Sequence, residues 1–112
     1  RENEDGFSKI IGYTWFMNLS IEFTGKIWFW KGPSPWHFGT VPEKEAAELK
    51  AISGIVTYGW GMIPVYVRIG NTEWKTSLFP KDGGYIVPIN VRARRGENLD
   101  EDDEVTVRLE VR

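Results

Sequence analysis

Residue types that carry out catalysis or bind metals are scarce in this chain of 112 residues, which has no cysteine and a single histidine, His37. Without cysteine the chain offers no thiolate nucleophile, disulfide or cysteine-bound metal, and one histidine cannot build a zinc site of several imidazoles. A Ser-His-Asp triad would have to use His37. We therefore predict no catalytic residue, no metal site and no cofactor, and we expect that the protein is not an enzyme.

The run EWKTSLFP at residues 73–80 carries polar and aromatic side chains of the kind that line binding sites. Gly70-Asn71 directly precedes it and is a strong signal for a two-residue hairpin turn. The turn predicts a hairpin in which Arg68 faces Glu73 as an exposed ion pair. Alternation then sorts the remaining side chains into an inner set of Val67, Trp74 and Leu78 and an outer set of Tyr66, Lys75 and Ser77.

Two groups of residues are candidates for a binding site on this hairpin and just before it. Tyr66, Lys75 and Ser77 form either an anion-binding or hydrogen-bonding patch, or the ordinary solvated face of an antiparallel sheet. Tyr58 and Trp60 lie in the glycine-rich stretch YGWG. They form either a lip on which a ligand stacks or a plug for one end of a barrel.

A dense basic cluster, Arg92, Arg94 and Arg95, is a further candidate, with Arg92 counted among the binding residues. Its arginines either contact phosphate or nucleic acid, or balance Glu97 and the acids at 100–104. Those acids would repel a phosphate backbone. The net charge of −2 and the pI of about 5.4 also argue against a strongly basic nucleic-acid footprint.

Aromatic residues make up 14% of the chain and include six tryptophans. So many aromatic residues either fill the core of a small barrel or form a surface on which a ligand stacks. The large area that each ring buries favours the core. Alternation over residues 19–31 points Trp28 and Trp30 outward. There they either lie beneath another part of the chain or mark an interface.

Hydrophobic periodicity predicts a mainly β domain. Period-two alternation indicates strands at residues 19–31, 36–41, 85–89 and 105–112, and a hairpin within residues 58–80 that folds at the Gly70-Asn71 turn. Pro42 and two early glutamates begin a helix that ends near Ser53, and residues 90–95 form a second short helix. The expected fold is a small barrel or pseudobarrel of about six to eight strands with one or two short helices.

The chain is expected to hold one domain at residues 18–112, preceded by an N-terminal extension at residues 1–17. No apolar run approaches the roughly 20 residues of a membrane-spanning helix, and the opening segment is acidic. We therefore expect a soluble, cytoplasmic protein with no membrane contact. Val41-Pro42 and Val87-Pro88 each follow a strand and precede a helical turn, which indicates two similar halves in one chain and hence a monomer.

Several stretches together resemble the family called domain of unknown function 1905. They are Trp36 with Val41-Pro42-Glu43, GWGMIPVYVRIGNTEWKTSLFP, GGYIVPINVRAR and DEVTVRLE. The resemblance covers roughly residues 18–112 and implies a barrel related to the double-split barrels, which include AbrB-type transition regulators. The family usually has Gly-Asp before the last strand, where this chain has Asp102-Asp103. A glycine there would allow a positive φ, and an Asp tolerates that conformation at some cost.

Composition and resemblance together favour a non-catalytic binding module for a small ligand or a protein partner. The candidate binding residues are Tyr58, Trp60, Tyr66, Lys75, Ser77 and Arg92. The alternative is a nucleic-acid-binding regulatory domain like the AbrB barrels, acting through Arg92, Arg94 and Arg95, and this alternative rests on analogy between folds.

Overall fold

The structure, a computed structural model, describes residues 20–56 and 61–112. The predicted extension at residues 1–17 and the candidates Tyr58 and Trp60 lie outside these ranges. The described part contains six strands and two helices. The strands are β1 (Ser20–Trp30), β2 (Trp36–Thr40), β3 (Ile63–Ile69), β4 (Thr72–Lys81), β5 (Gly84–Ile89) and β6 (Glu104–Val111), and the helices are α1 (Glu43–Val56) and α2 (Val91–Gly96).

The six strands close into an antiparallel barrel in the order β1-β2-β5-β4-β3-β6. The first and last strands complete the ring by pairing from Ser20↔Glu110 to Lys26↔Glu104. Closure leaves no unpaired sheet edge along this seam, which is the usual solution to the edge-strand problem in small β proteins. The predicted fold class, a mainly β barrel with two short helices, is confirmed.

Aliphatic side chains fill the barrel interior. Each strand alternates, as the sequence predicts, and the inward positions of β6 read Val105, Val107, Leu109 and Val111. The largest fully buried side chains are Ile27, Leu49, Ile63, Leu78, Ile89, Leu109, Val65, Val67, Val87 and Val107. Each such side chain contributes about 1.5–3 kcal/mol relative to leaving it exposed, so the interior supplies the main driving force for folding.

The β3–β4 hairpin has the register that its turn predicts. Arg68 faces Glu73, and their side chains form an exposed ion pair of 3.3 Å between Nη2 and Oε1. Glu97 supports the turn, because its Oε2 accepts hydrogen bonds from the Asn71 backbone N–H at 3.1 Å and from Thr72 Oγ1 at 2.8 Å. The sequence analysis treated Glu97 only as a charge balancing the arginines, which understates its role.

Helix α1 extends further than predicted. The sequence analysis ended it near Ser53, whereas the helix continues through Gly54 to Val56. The Ser53 hydroxyl donates to the Lys50 carbonyl within the helix at 2.9 Å, so it does not compete for non-helical backbone groups. Glycine in a helix costs only about 1 kcal/mol relative to alanine, which packing can offset. Ala46, Leu49 and Ile52 form the buried face of the helix.

The two helices lie at opposite ends of the barrel. Helix α1 follows β2 and α2 follows β5, and these two strands run antiparallel to each other. The chain divides into two halves with the same order of elements, β1-β2-α1-β3 and β4-β5-α2-β6. If each strand is replaced by its counterpart in the other half, the same strands remain neighbours in the barrel. The topology is therefore consistent with the two similar halves that the repeated Val-Pro pairs predict.

Asp102 adopts a positive φ of 74°, the conformation that a glycine at this position would allow. We expect Asp102→Gly to raise the free energy of unfolding by about 0.5–1 kcal/mol, because glycine reaches this region without the steric cost that an L side chain incurs. Urea unfolding followed by circular dichroism measures the change. Asp103→Gly is the matched control and should destabilise, since Asp103 Oδ2 accepts a hydrogen bond from the Asp100 N–H at 2.8 Å. Equal effects of the two substitutions would contradict the prediction.

Candidate functional site

Exposed aromatic side chains gather on one outer wall of the barrel. Four large hydrophobic residues are exposed in the described part of the chain: Trp30 at 47%, Trp36 at 42%, Phe79 at 39% and Val91 at 45%. Three of these four line one groove, and Val91 lies apart on α2. Trp30 and Trp36 face each other as partners in the β1–β2 ladder, whereas Phe79 comes from β4.

The aromatic groove has a volume of about 340 Å³ and is formed by Trp30, Ser34, Trp36, Phe38, Thr76, Phe79 and Pro88. Phe38 and Pro88 are buried, and they are partners in the β2–β5 ladder. Their outward direction follows from alternation, because the neighbouring pair Gly39↔Val87 is turned into the barrel. Apolar side chains from four strands therefore meet on the outside of the ring.

Contacts around the groove hold its rings in place. A Cβ added to Gly32 would overlap the six-membered ring of Trp30, so the indole lies directly against the backbone of the loop that follows β1. Phe38 packs against the ring of Trp28 at a centroid distance of 5.1 Å and against Phe79 at 6.5 Å. Trp28 is itself fixed by a hydrogen bond from its Nε1 to Thr40 Oγ1 at 2.9 Å.

Of the residues that the sequence analysis proposed for binding, Tyr66 and Lys75 do come together. Lys75 Nζ lies 5.9 Å from the centroid of the Tyr66 ring, and the guanidinium carbon of Arg112 lies 5.8 Å from the same centroid. Arg112 also donates to the backbone carbonyls of Val65 and Thr76. Because the Tyr66 ring already makes cation–π contacts with two side chains, this patch has the character of a structural cluster rather than of a binding site.

Ser77 has the predicted outward direction but not the predicted exposure. It faces Pro64 in the β3–β4 ladder, on the same face as Lys75, yet only 9% of its surface is exposed. Of the two alternatives that the sequence leaves open, an ordinary solvated face does not fit the burial of Ser77. Alternation assigns a side chain to one face of a strand, but it gives no information on what packs over that face.

The arginines of α2 divide between different environments. Arg92 Nη2 donates to the Glu73 carbonyl at 3.3 Å, which ties the helix to β4. Arg94 is partly buried, and its Nε is one of two buried side-chain donors in the described residues without a hydrogen-bond partner. Arg95 is exposed. The cluster therefore does not present three equivalent cations to a phosphate backbone.

His37 points toward the barrel rather than toward the groove. Its ring contacts Phe29, its ladder partner, at a centroid distance of 4.6 Å. Burial lowers the pKa of His37 below its usual 6.5, and the positive charge of Arg94 lowers it further, partly opposed by Glu101 and Asp100. Among residues 20–56 and 61–112, no group of three His, Asp or Glu residues could hold a metal ion.

A second cleft of about 460 Å³ lies between the first turns of α1 and the β4–β5 turn. Its charged lining residues are Glu43, Lys50, Lys81 and Asp82. Lys81 and Asp82 pair with each other at 3.3 Å, and both are exposed to water. No large exposed hydrophobic side chain of the described chain lines this cleft, which distinguishes it from the aromatic groove.

Residues 23–109 match the model of a protein family described as Domain of unknown function (DUF1905). The chain belongs to this family. The match extends from the fourth residue of β1 to near the end of β6 and so includes the parts of β1, β2, β4 and β5 that form the groove. A search of the curated proteins found no match. Within the described part of this DUF1905 chain, no helix is long and apolar enough to cross a membrane.

The sequence analysis found part of this groove. It identified Trp30 as outward and as a mark of an interface if uncovered, and Trp30 is exposed. It missed Trp36, Phe79 and Pro88, and it expected the aromatic residues to fill the core. Among the tryptophans of the described DUF1905 chain, Trp74 is buried and Trp30 is exposed, both as predicted, whereas Trp36 is exposed and does not fill the core. The available signal was alternation in β2, which puts Trp36 on the same face as Phe38, whereas its place opposite Trp30 depends on the β1–β2 register.

The pKa of His37 predicts a pH dependence of stability in the DUF1905 domain. Because its pKa in the folded protein lies below the unfolded value of 6.5, the unfolded chain takes up the proton first as the pH falls. The contribution of His37 to the free energy of unfolding is therefore complete above pH 6.5 and decreases as the pH falls below that value. Urea unfolding between pH 7 and about 5.5 should show a falling free energy of unfolding, before the carboxylates titrate.

His37→Phe is the matched control for this measurement. It keeps a ring against Phe29 but cannot titrate, and His37 is the single histidine of the chain. The variant should lose less stability than the wild type over the same pH interval. If the free energy of unfolding fell by the same amount in both proteins, the lowered pKa of His37 would be contradicted.

Proposed function

We propose that this protein is a non-catalytic binding module that holds an apolar segment of a partner protein in the aromatic groove. The observation that carries the proposal is that Trp30, Trp36 and Phe79 converge on one groove while remaining exposed. Single hydrophobic residues are ordinary on a protein surface, whereas a contiguous apolar patch marks an interaction site. Tryptophan is also strongly enriched among the residues that dominate binding energies.

The fixed geometry of the groove supports this proposal. Trp30 is held against Gly32, and Phe38 is held between Trp28 and Phe79. A surface whose rings are ordered before binding loses little side-chain entropy when a partner arrives. A set of loosely attached rings would lose roughly 0.5–1.5 kcal/mol for each side chain that becomes fixed.

The composition of the groove favours a protein segment over a small molecule. Small-molecule sites combine apolar walls with several placed polar groups, and they enclose most of the ligand. Here Ser34 and Thr76 are the polar residues among those that form the groove, which lies on the outer wall. Such a surface provides contact area with little directional hydrogen bonding, as the centre of a protein interface does.

The position of His37 supports a non-catalytic role. Its imidazole packs against Phe29 and belongs to the inward-facing set of β2, so it does not face the groove. General acid–base catalysis needs a titratable group within hydrogen-bond reach of the substrate. Neither Ser34 nor Thr76 supplies such a group, so binding is the activity that this surface supports.

A peptide-display selection tests the proposal. A random peptide library is panned against the full wild-type chain, and the enriched peptides are then measured against Trp36→Thr and Phe79→Thr. We expect each substitution to weaken binding about 30-fold, corresponding to about 2 kcal/mol for the loss of a central aromatic contact. Val91→Thr is the matched control, since Val91 is equally exposed but lies outside the groove, and it should leave binding unchanged.

Two results would contradict the proposal. One is a selection that enriches no peptide, or peptides whose affinity does not depend on Trp36 and Phe79. The other is binding of a labelled oligothymidylate that Trp36→Thr abolishes, because exposed rings beside lysines also stack on single-stranded bases. The second result would instead favour the nucleic-acid role, for which the net charge of −2 is unfavourable.

A further inference from the structure

The ladder between β4 and β5 ends beside the aromatic groove. The last pair of this ladder is Phe79↔Ile86, although β4 begins at Thr72. The groove is lined by Thr76 and Phe79 on the β4 side and by Pro88 on the β5 side. It therefore lies over the gap that opens between these two strands.

The sequence explains why the ladder stops at this point. In the continued register Ser77 would face Pro88, and proline has no N–H with which to extend a ladder. Lys75 would face Asn90, but the chain has left β5 at Asn90 and begins α2 there. The carbonyl and the side-chain oxygen of Asn90 accept hydrogen bonds from N–H groups of α2 instead. Among the described residues, β5 therefore supplies no strand partner for Lys75.

The backbone N–H and carbonyl of Lys75 point into this gap. The Arg112 N–H donates to the Pro64 carbonyl at 3.1 Å, so alternate residues of β3, Pro64 and Tyr66, direct their backbone groups toward β6. Tyr66 and its β4 partner Lys75 therefore form a pair without mutual hydrogen bonds, and the backbone groups of Lys75 point away from β3. The Glu73 carbonyl, two residues earlier on the same edge, agrees with this direction because it accepts a hydrogen bond from α2.

The open part of this edge is short and bordered at both ends. Toward Glu73 the Arg92 side chain of α2 covers the edge, and toward Phe79 the ladder with β5 resumes. The Lys75 side chain lies over the Tyr66 ring, on the face of β4 rather than at its edge. An open strand edge accepts an added strand, which gains main-chain hydrogen bonds from the edge and specificity from pockets for its side chains.

We propose that a short extended segment of the partner protein pairs with Lys75 as an added strand and places a large apolar side chain in the aromatic groove. The Lys75 N–H donates to a carbonyl of the segment, and the Lys75 carbonyl accepts from an N–H of the segment. Because alternate residues of a strand face the same neighbour, every second N–H of the segment points toward β4. This inference rests on the proposed function and adds to it the way in which the backbone of the partner is recognised.

N-methylation of the bound peptides tests the backbone contact on the full chain. The probes are the peptides enriched by the selection on the wild-type chain, resynthesised with an N-methyl group at one residue at a time. We expect methylation of one central residue to weaken binding about tenfold and methylation of either neighbour to change it little, since the neighbouring N–H groups face away from β4. A uniform effect along the peptide, or no effect at any residue, would overturn the inference.

Two substitutions at Lys75 test the donor on the protein side. Lys75→Pro removes the N–H, which takes no part in the β3–β4 hydrogen bonds, so proline is compatible with this edge position. Lys75→Gln removes the same charge and keeps the N–H. We expect the proline variant to bind the peptides about fivefold more weakly than the glutamine variant, with circular dichroism verifying that both are folded. Equal affinities of the two folded variants would contradict the pairing.

Amide hydrogen exchange at Lys75 separates the possible occupants of the edge. We expect a saturating peptide to slow exchange of the Lys75 N–H about tenfold, while the exposed Asp82 N–H of the β4–β5 turn keeps its rate. Slow exchange in the free chain that depends on protein concentration would identify a second copy as the occupant. Slow exchange in the free chain at every concentration would favour the chain's own residues 1–17. Either result would overturn the inference.

The failure of this inference and the failure of the proposed function give different results. If library peptides bind through Trp36 and Phe79 but N-methylation has no alternating effect, the inference is wrong and the binding function stands. If no peptide binds through these residues, the binding function itself is wrong, and the inference is wrong with it.

Discussion

The narrow interior of a six-stranded barrel is the constraint on which the rest of this structure depends. Barrel diameter grows with strand number, and eight strands already leave an interior that side chains alone can fill. Six strands leave less room, and Ile, Val and Leu side chains make up most of the core, with Phe23, Trp74 and Tyr85 as its aromatic members among the described residues. Little room is left for further rings, and Trp30, Trp36 and Phe79 lie outside the barrel.

The aromatic groove is a consequence of this constraint together with the strand order. Trp30 and Trp36 are brought together by the local β1–β2 pairing, whereas Phe79 joins them because the ring places β2 beside β5 and β5 beside β4. The groove is therefore built on paired strands rather than on mobile loops. Surfaces carried by strands hold their side chains at defined spacings, and defined spacing is what a recognition surface needs.

The sequence predicts those features that depend on local geometry. The Gly70-Asn71 turn determines the register of its hairpin, and alternation then assigns Trp74 to the interior and Lys75 to the exterior. Features that depend on ring closure are not predictable in this way. The contact of Phe38 with Phe79 joins two strands that are distant in the chain.

The central claim is that the outer rings serve binding and contribute little to folding. The most direct test is the free energy of unfolding of the triple variant Trp30→Thr, Trp36→Thr and Phe79→Thr, with threonine chosen because it suits strands. Since these side chains remain about 40–50% exposed in the folded state, we predict a change within about 1 kcal/mol of the wild type, as for ordinary surface substitutions. A loss of about 3 kcal/mol or more, typical of large side chains deleted from a core, would contradict the account.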